Sequence, residues 1–512
     1  MVAVASFEFG TTIDDATNER VQRAASALID ASIDGLLDVV PSYTVLNVEY
    51  DPRRTGVVEV AAATRRAATA PANLAAVRTI TVPTTYDGPD LEAVAHATGL
   101  APGTVADVHA SVEYRVHALG FTPGFAFMAS VDPRLRLPRR TSPRLAVPPC
   151  SVAIANAQTG VYPIASPGGW HVIGRSLLTP YDPWRDEPFL FAPGARVQFL
   201  ARSGPAAPEA RTFPLLPDRP TRPTFAVLRP GLRDLVVDAG RFGVARFGLA
   251  RSGPIDPSAM ADANVHVGNP SMASALEMAL RGPTLRVLRH TVVGVAGPAM
   301  TPRRNGRTMP VDRPIELQSG DVLSFEPSSS GAVSYLALPG GIESTTRHGS
   351  ASVDVRGRLG QPLRTGDVVG QNDSWVRRSG LRVPRRAVTS GTAPILRVVP
   401  GPHASPDALA VLDGAVFTVT ASDRMGVRLD GPPVPTREIV SEPTELGAMQ
   451  ITTSGAPIVL LNDRGTLGGY AKPVIVVPSD LPRLAQARVG EPVRVRLVAD
   501  TFGLYRRFAV PA

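Results

Sequence analysis

Cysteine and lysine are nearly absent from this 512-residue chain. The single cysteine, Cys150, excludes an intrachain disulfide and fits a reducing compartment. Lys472 is the one lysine among 53 basic residues. A GC-rich genome accounts for the arginine bias, which makes the surviving lysine informative. No window approaches the roughly 20 apolar residues that cross a bilayer. The first twenty residues lack the basic start and apolar stretch of a secretory signal. A soluble, cytoplasmic protein without a membrane partner is expected. The net charge is +8, yet no basic run carries interleaved aromatics, so nucleic acid is not expected as a partner. No Walker A loop and no Gly-X-Ser-X-Gly elbow occurs. The eight histidines show no paired ligand spacing, so no metal site is expected.

What is abundant is proline. Its 51 residues are about twice the usual share of roughly 5% and favour short strands and ordered loops. The length implies about three or four domains. Residues 14–37 carry apolar positions at helical spacing, with Asp14 or Asp15 as N-cap. A strand over Ser42–Asp51 and a helix over Val57–Ala76 complete a small α/β domain, residues 1–80, where the helices are expected to concentrate. Short β-like runs then predict a mainly β chain: a barrel or sandwich at 81–202, an extended Pro-rich linker at 203–224 with six prolines, and β domains at 225–375 and 390–512. A second seam is expected around residues 371–393. Three segments, "PGARVQF" (193–199), "SGDVLSF" (319–325) and "VGEPVRV" (489–495), repeat a glycine turn before alternating strand residues.

Two loops, "GFTPGFAFM" (120–128) and "QTGVYPIASPGGWHVIGRS" (158–176), crowd glycine, proline and aromatics around the basic "PRRTSPR". They are either barrel corners or an anion site in which Gly124, Gly168 and Gly169 expose backbone amides beside Arg139, Arg140, Arg144 and His171. Asp238 and Arg241 are either an ion pair or substrate ligands. Asp256 before Pro257 is a good helix start as well as a candidate ligand. In the last unit Arg424, Arg428, Glu442, Gln450, Asp463 and Lys472 bring charge into Gly-rich loops. Lys472, as a compact ammonium beside "GGY", is expected to face a pocket shared with Asp463, Arg424 or Gln450.

The stretch "HASVEYRVHALGFTPGFAFM…PRRTSPRLAVPPCSVAIANAQTGVYPIASPGGWHVIGR" resembles allophanate hydrolase subunit 1, the family of KipI and the B-type subunit of 5-oxoprolinase. "RPGLRDLVVDAGRFGVARFGLARSGPIDPSAMADANVHVGN", "YLALPGGIESTTRHGSAS", "SDRMGVRLDG" and "DRGTLGGYAK" resemble subunit 2, the family of KipA and the C-type subunit of 5-oxoprolinase. A similar fused module forms the carboxyltransferase part of urea amidolyase. The resemblance implies cyclophilin-like β-barrels, one in the first half and a related pair in the second. It implies an ATP-dependent lactam hydrolase component that opens 5-oxoproline to glutamate with a separate 5-oxoprolinase A-type subunit. ATP would enter with Mg2+ bound through the nucleotide. The alternatives are a carboxyltransferase-like module for urea-type amides and a KipI/KipA-like histidine-kinase regulator. On this reading Lys472, Asp463, His171 and Asp238 are the catalytic candidates. His109, Gly124, Arg139, Arg140, Arg144, Gly168, Gly169, Arg241, Asp256, Asn264, Arg424, Arg428, Glu442 and Gln450 are the candidates for binding substrate or nucleotide. The chain departs from the family pattern at Cys150, where glycine is usual, and at Val237, where glutamine is usual.

Overall fold

The two ends of the chain meet in one sheet. In the computed structural model, strand Ala3–Glu8 pairs antiparallel with Val45–Tyr50 and parallel with Tyr505–Ala509, and Phe7 stacks on Phe508 at 5.2 Å. The structure describes residues 2–69, 78–205, 207–373, 393–501 and 503–510. Helices Asp15–Asp30 and Val57–Thr69 cover this sheet. Asp14 caps the first, its carboxylate accepting from the Thr17 amide at 2.8 Å. Val21, Ala24, Ala25 and Leu28 form its buried stripe. The expected continuation of the second helix to Ala76 lies outside the described residues, as does most of the seam expected at 371–393.

A closed seven-stranded barrel follows. Its strands run, around the barrel, His171–Ser176, Thr79–Thr85, Arg196–Ala201, Glu113–Leu119, Ala126–Ala129, Gln158–Val161 and Ser151–Ala155. A second barrel ends the chain. Its order is Leu467–Val476, Ile395–Pro400, Pro492–Leu497, Val416–Ser422, Gly426–Asp430, Pro457–Leu460 and Ala448–Ile451. Numbered along the chain, the two orders are the same, including a parallel pairing of first and last strands. The repeated glycine turn marks this equivalence. Gly194 and Gly490 have φ of 81° and 90°, and each donates its N–H at 2.8 Å to Val116 and Val419 on the facing strand. Gly320 makes the same local turn against Val287, but its strand has two antiparallel neighbours.

The middle unit corrects the expected pair of barrels in the second half. Its strands divide between a six-stranded and a five-stranded sheet that enclose one core. Helix Pro257–His266 packs on strand Thr291–Ala296, close enough that Gly294 leaves no room for a side chain below Ala263. Helices are also less concentrated than expected. Leu91–Thr98, Pro102–Ser111, Pro257–His266, Pro406–Leu412 and Leu481–Ala485 lie beyond residue 80. The second of these was signalled by proline at its start, and the first by Gly99 in the left-handed region at its end. The Pro-rich segment is a strap laid on the second half. Leu215 is buried in the middle core, and Phe213 and Leu215 bond the backbone of Arg358, Gly360 and Thr345 at 2.8 Å. Among the described residues no helix is long and apolar enough to cross a membrane.

Candidate functional site

The predicted residues fall into three groups. The first is on the first barrel, where the two Gly-Pro-aromatic loops converge. Phe125 packs edge-on against Tyr162 and Trp170 at 5.0 and 5.6 Å, and Phe127 meets Trp170 at 5.9 Å. Gly168 lies against Tyr162, and the Gly169 carbonyl accepts the Arg140 amide. Asp90, absent from the sequence reading, organises the basic segment. Its carboxylate receives Arg140 at 2.7 Å, Arg144 at 2.7 and 2.8 Å, and the Val172 amide at 2.7 Å. Burial pushes the Asp90 carboxyl up, but Arg144, the Val172 amide and Arg140 hold it below the usual value. Arg140 and Arg144 thus share one carboxylate, which leaves the cluster net positive, and Arg139 is the exposed arginine outside this pairing. His171 is half-buried, its Nε2 2.9 Å from the Pro138 carbonyl.

His109 is a packed core residue. Its Nδ1 and Nε2 meet the Tyr86 and Thr159 hydroxyls at 2.7 and 2.8 Å, its ring lies 4.6 Å from Phe199, and burial pushes its pKa down to about 3. Cys150 occupies a backbone position of φ 62°, which explains the family's usual glycine there. Burial pushes its thiol up to about 11, away from nucleophilic use.

The "GFTPGF" corner also faces the second half. A Cβ on Gly120 would lie on Leu467, and one on Gly248 would lie 2.5 Å from the Thr122 carbonyl oxygen and 3.2 Å from Gly120. Gly124 donates its N–H to the Phe247 carbonyl at 2.8 Å. These glycines bring the backbones of the two halves together.

The second group surrounds Lys472, which is wholly buried. Its Nζ meets Glu442 at 3.0 Å, Glu445 at 3.3 Å and the Pro443 carbonyl. His403 and Arg507 approach the same Glu442 at 3.3 and 3.8 Å. Burial pushes the ammonium down, but Glu442 and Glu445 more than compensate and raise it. The expectation that Lys472 shares a pocket with Asp463 or Arg424 is thus corrected: its partners are two glutamates. Gln450 is buried beside Gly468, and Arg428 is exposed on its strand.

The third group joins the middle unit to the last barrel. Arg424, buried, clasps Asp463 at 2.8 and 3.1 Å, donates to Glu277 at 2.5 Å and to the Gly253 carbonyl at 2.6 Å. The Tyr335 hydroxyl donates to the second Glu277 oxygen at 2.7 Å. Asp238 does not pair with Arg241. Its carboxylate accepts from Ser350, Ser352 and the Gly240 and Ala351 amides at 2.5 to 3.0 Å, and it clasps the loop. Burial pushes it up, and these bonds hold it below the usual value. Asp256 caps helix Pro257–His266 through the Ala259 amide at 3.0 Å and also receives Gln486 at 2.8 Å. Asn264 tethers the following loop through Ser271, Ala273 and Asn269. Arg241 is buried with its Nη2 on the Ser352 carbonyl.

Two family models match this chain: carboxyltransferase domain, subdomain C and D, over residues 3–191, and carboxyltransferase domain, subdomain A and B, over residues 247–497. The chain belongs to the carboxyltransferase-domain family. It is 36% identical over 209 residues to the B-type subunit of 5-oxoprolinase from Bacillus subtilis, covering 38% of this chain and 86% of that one. It is 30% identical over 281 residues to the C-type subunit of 5-oxoprolinase from Escherichia coli K12, covering 52% of this chain and 89% of that one. The crystal structure of TTHA0988 superposes with a TM-score of 0.92 at 45% identity, over 97% of this chain and 100% of the other. The match covers 58% of the B-type subunit from Escherichia coli O157:H7, at 50% identity over 126 residues (24% of this chain). It covers 17% of the urea amidolyase of Lachancea kluyveri, at 30% identity over 304 residues (53% of this chain).

The two carboxyltransferase modules are joined by buried charge that local spacing did not reveal. Glu49 of the C–D module meets Arg464 of the A–B module at 2.9 Å, and Asn47 donates to Glu445 at 2.7 Å. Asp38 accepts the Ala245 amide at 3.2 Å in the same seam. Burial, reinforced by Glu49, pushes the Asp38 carboxyl up to about 7. Between about pH 4 and pH 7 the folded carboxyl therefore keeps a proton that the unfolded one releases, so this group's contribution to stability falls as pH rises across that window. Asp38→Asn retains an acceptor for Ala245. Thermal melts should show the variant more stable than the parent at about pH 8 and level with it at about pH 4. Equal differences at both pH values would contradict this.

Proposed function

We propose that this chain is a fused B–C component of an ATP-dependent 5-oxoprolinase. One observation carries the reading. The two halves match two different subunits of one named enzyme, each over more than four-fifths of that subunit's length. A lactam is an unreactive amide. Transfer of the γ-phosphoryl group to the lactam oxygen releases ADP and makes the ring carbon electrophilic. Water then adds, the C–N bond breaks, and a second water hydrolyses the resulting acyl phosphate to glutamate and phosphate. Such chemistry depends on positioning and on charge placed where the transition state needs it. ATP is a substrate here. In the basic segment of the first barrel Asp90 occupies Arg140 and Arg144, which leaves Arg139 as the exposed cation that can meet a phosphate.

ATP turnover with 5-oxoproline is the test. The purified chain alone is expected to release no glutamate, and addition of the A-type subunit is expected to give glutamate and ADP in equal amounts. Full activity of the single chain, or none with the partner, counts against the proposal. The likeness to urea amidolyase favours a second reading, carboxyl transfer to a urea-type amide from a biotin carrier on another chain. Carboxybiotin-dependent consumption of urea would select it.

A further inference from the structure

The outer face of the last barrel carries a cleft of about 540 Å³ in which three arginines meet a single carboxylate. Arg397, Arg483 and Arg496 line it together with Ile395, Leu497 and Val498. The arginines come from three elements. Strands Ile395–Pro400 and Pro492–Leu497 run parallel with Arg397 and Arg496 side by side in register, and Arg483 belongs to the short helix Leu481–Ala485.

Asp480, wholly buried, fixes the first of them. Its carboxylate accepts the Arg397 amide at 2.9 Å, Nε at 2.8 Å and Nη2 at 2.6 Å, and the Ser479 hydroxyl accepts from Nη2 at 2.9 Å. The guanidinium fork is held before any ligand arrives, and Nη1 is left over. Arg483 stands 3.9 Å from the same carboxylate, with 63% of its side chain exposed. Arg496 is exposed and has no ion pair among the described residues. Like charges side by side on neighbouring strands are unfavourable without a counter-charge. Three guanidiniums less one carboxylate leave a surplus of two. Of the neighbouring carboxylates, Asp500 pairs with Arg506 at 2.6 Å, and Asp413 accepts the Leu497 amide at 2.9 Å without lining the cleft. Residues 374–392, which precede this strand, hold five arginines and no Asp or Glu, so they bring no counter-charge either.

The volume lies within the roughly 300–1000 Å³ of small-molecule sites, and the lining has their usual makeup of apolar surface with a few convergent polar groups. Guanidinium forks match the oxygens of phosphate. A phosphate ester carries about −1.5 to −2 at neutral pH, close to the surplus, whereas one carboxylate answers half of it. Ile395, 41% exposed, forms with Leu497 and Val498 an aliphatic floor for the carbon part of a ligand. We propose that this cleft binds a phosphate-bearing small molecule, its phosphate on Arg397, Arg483 and Arg496. Binding here is separable from 5-oxoproline turnover, so each can fail alone.

Calorimetric titration of the full chain tests it with three probes: ATP without magnesium, inorganic phosphate, and glutamate as a carboxylate control. ATP should bind, glutamate should not, and Arg483→Ala combined with Arg496→Ala should weaken ATP at least about tenfold. Both side chains are exposed, so the melting temperature of the double variant should match the parent. Arg397 is left intact because its loss would strand the buried Asp480. ATP held more tightly than inorganic phosphate identifies a ligand with a body on the aliphatic floor; equal affinities identify free phosphate. ATP binding unchanged in the double variant but lost in Arg139→Ala overturns the cleft and moves the phosphate to the first barrel. No binding of either phosphate probe overturns it too, and a double variant that then loses only its hold on the A-type subunit would make this face a protein contact.

Discussion

Arg424→Met is expected to destabilise the second half by about 3–5 kcal/mol, the usual cost of removing one partner from a buried ion pair. Methionine preserves much of the volume, so the loss reads charge rather than a cavity. Glu277 would keep the Tyr335 hydroxyl and the Ile255 amide but lose its cation, and Asp463 would lose both contacts from the guanidinium. Arg424 also holds the Gly253 carbonyl, so the loop entering helix Pro257–His266 loses an anchor. Urea unfolding of the variant measures the loss, and Arg424→Met combined with Asp463→Asn should recover part of it. A loss below about 1 kcal/mol, the range of exposed pairs, would mean that solvent reaches these carboxylates.

Lys472→Met should cost a comparable amount, about 3–5 kcal/mol, by leaving Glu442 and Glu445 buried on the same side. Glu445 is 2% exposed and its other partner is Asn47, so the loss falls on the seam between modules as well as on the last barrel. Lys472→Arg is expected to be less damaging, yet not neutral. The ammonium sits wholly buried among two carboxylates and a carbonyl, and a planar guanidinium needs more room, at a cost of about 1–3 kcal/mol. Melting temperatures should therefore fall in the order parent, Lys472→Arg, Lys472→Met, with Glu445→Gln partly rescuing the methionine variant. A Lys472→Arg protein that melts like the parent and merely loses turnover would show that the lysine acts on substrate instead.

Much of the local structure was legible in the residues. Asp14 ahead of an apolar stripe starts the first helix, and Asp256 followed by Pro257 starts another. The glycine turns at Gly194 and Gly490 were visible as an echo because a positive φ selects glycine within a few residues of strand alternation. The convergence of the two Gly-Pro-aromatic loops was also readable, since Phe125, Phe127, Tyr162 and Trp170 need one shared core.

Partnership was decided only by the tertiary structure. Asp90 binds arginines 50 and 54 positions away, and Asn47 meets Glu445 across 398 positions. The last strand completes the first sheet, a pairing that alternation in Tyr505–Ala509 does not specify. The echo at Gly320 predicted a third barrel, but its strand acquired two antiparallel neighbours and an open sheet. The physical reason is one of range. Backbone dihedrals, caps and period respond to residues within one or two turns, so sequence alone determines them. Which strand lies beside which, and which carboxylate answers which guanidinium, depends on burial of whole faces, and that is settled only when distant segments pack together.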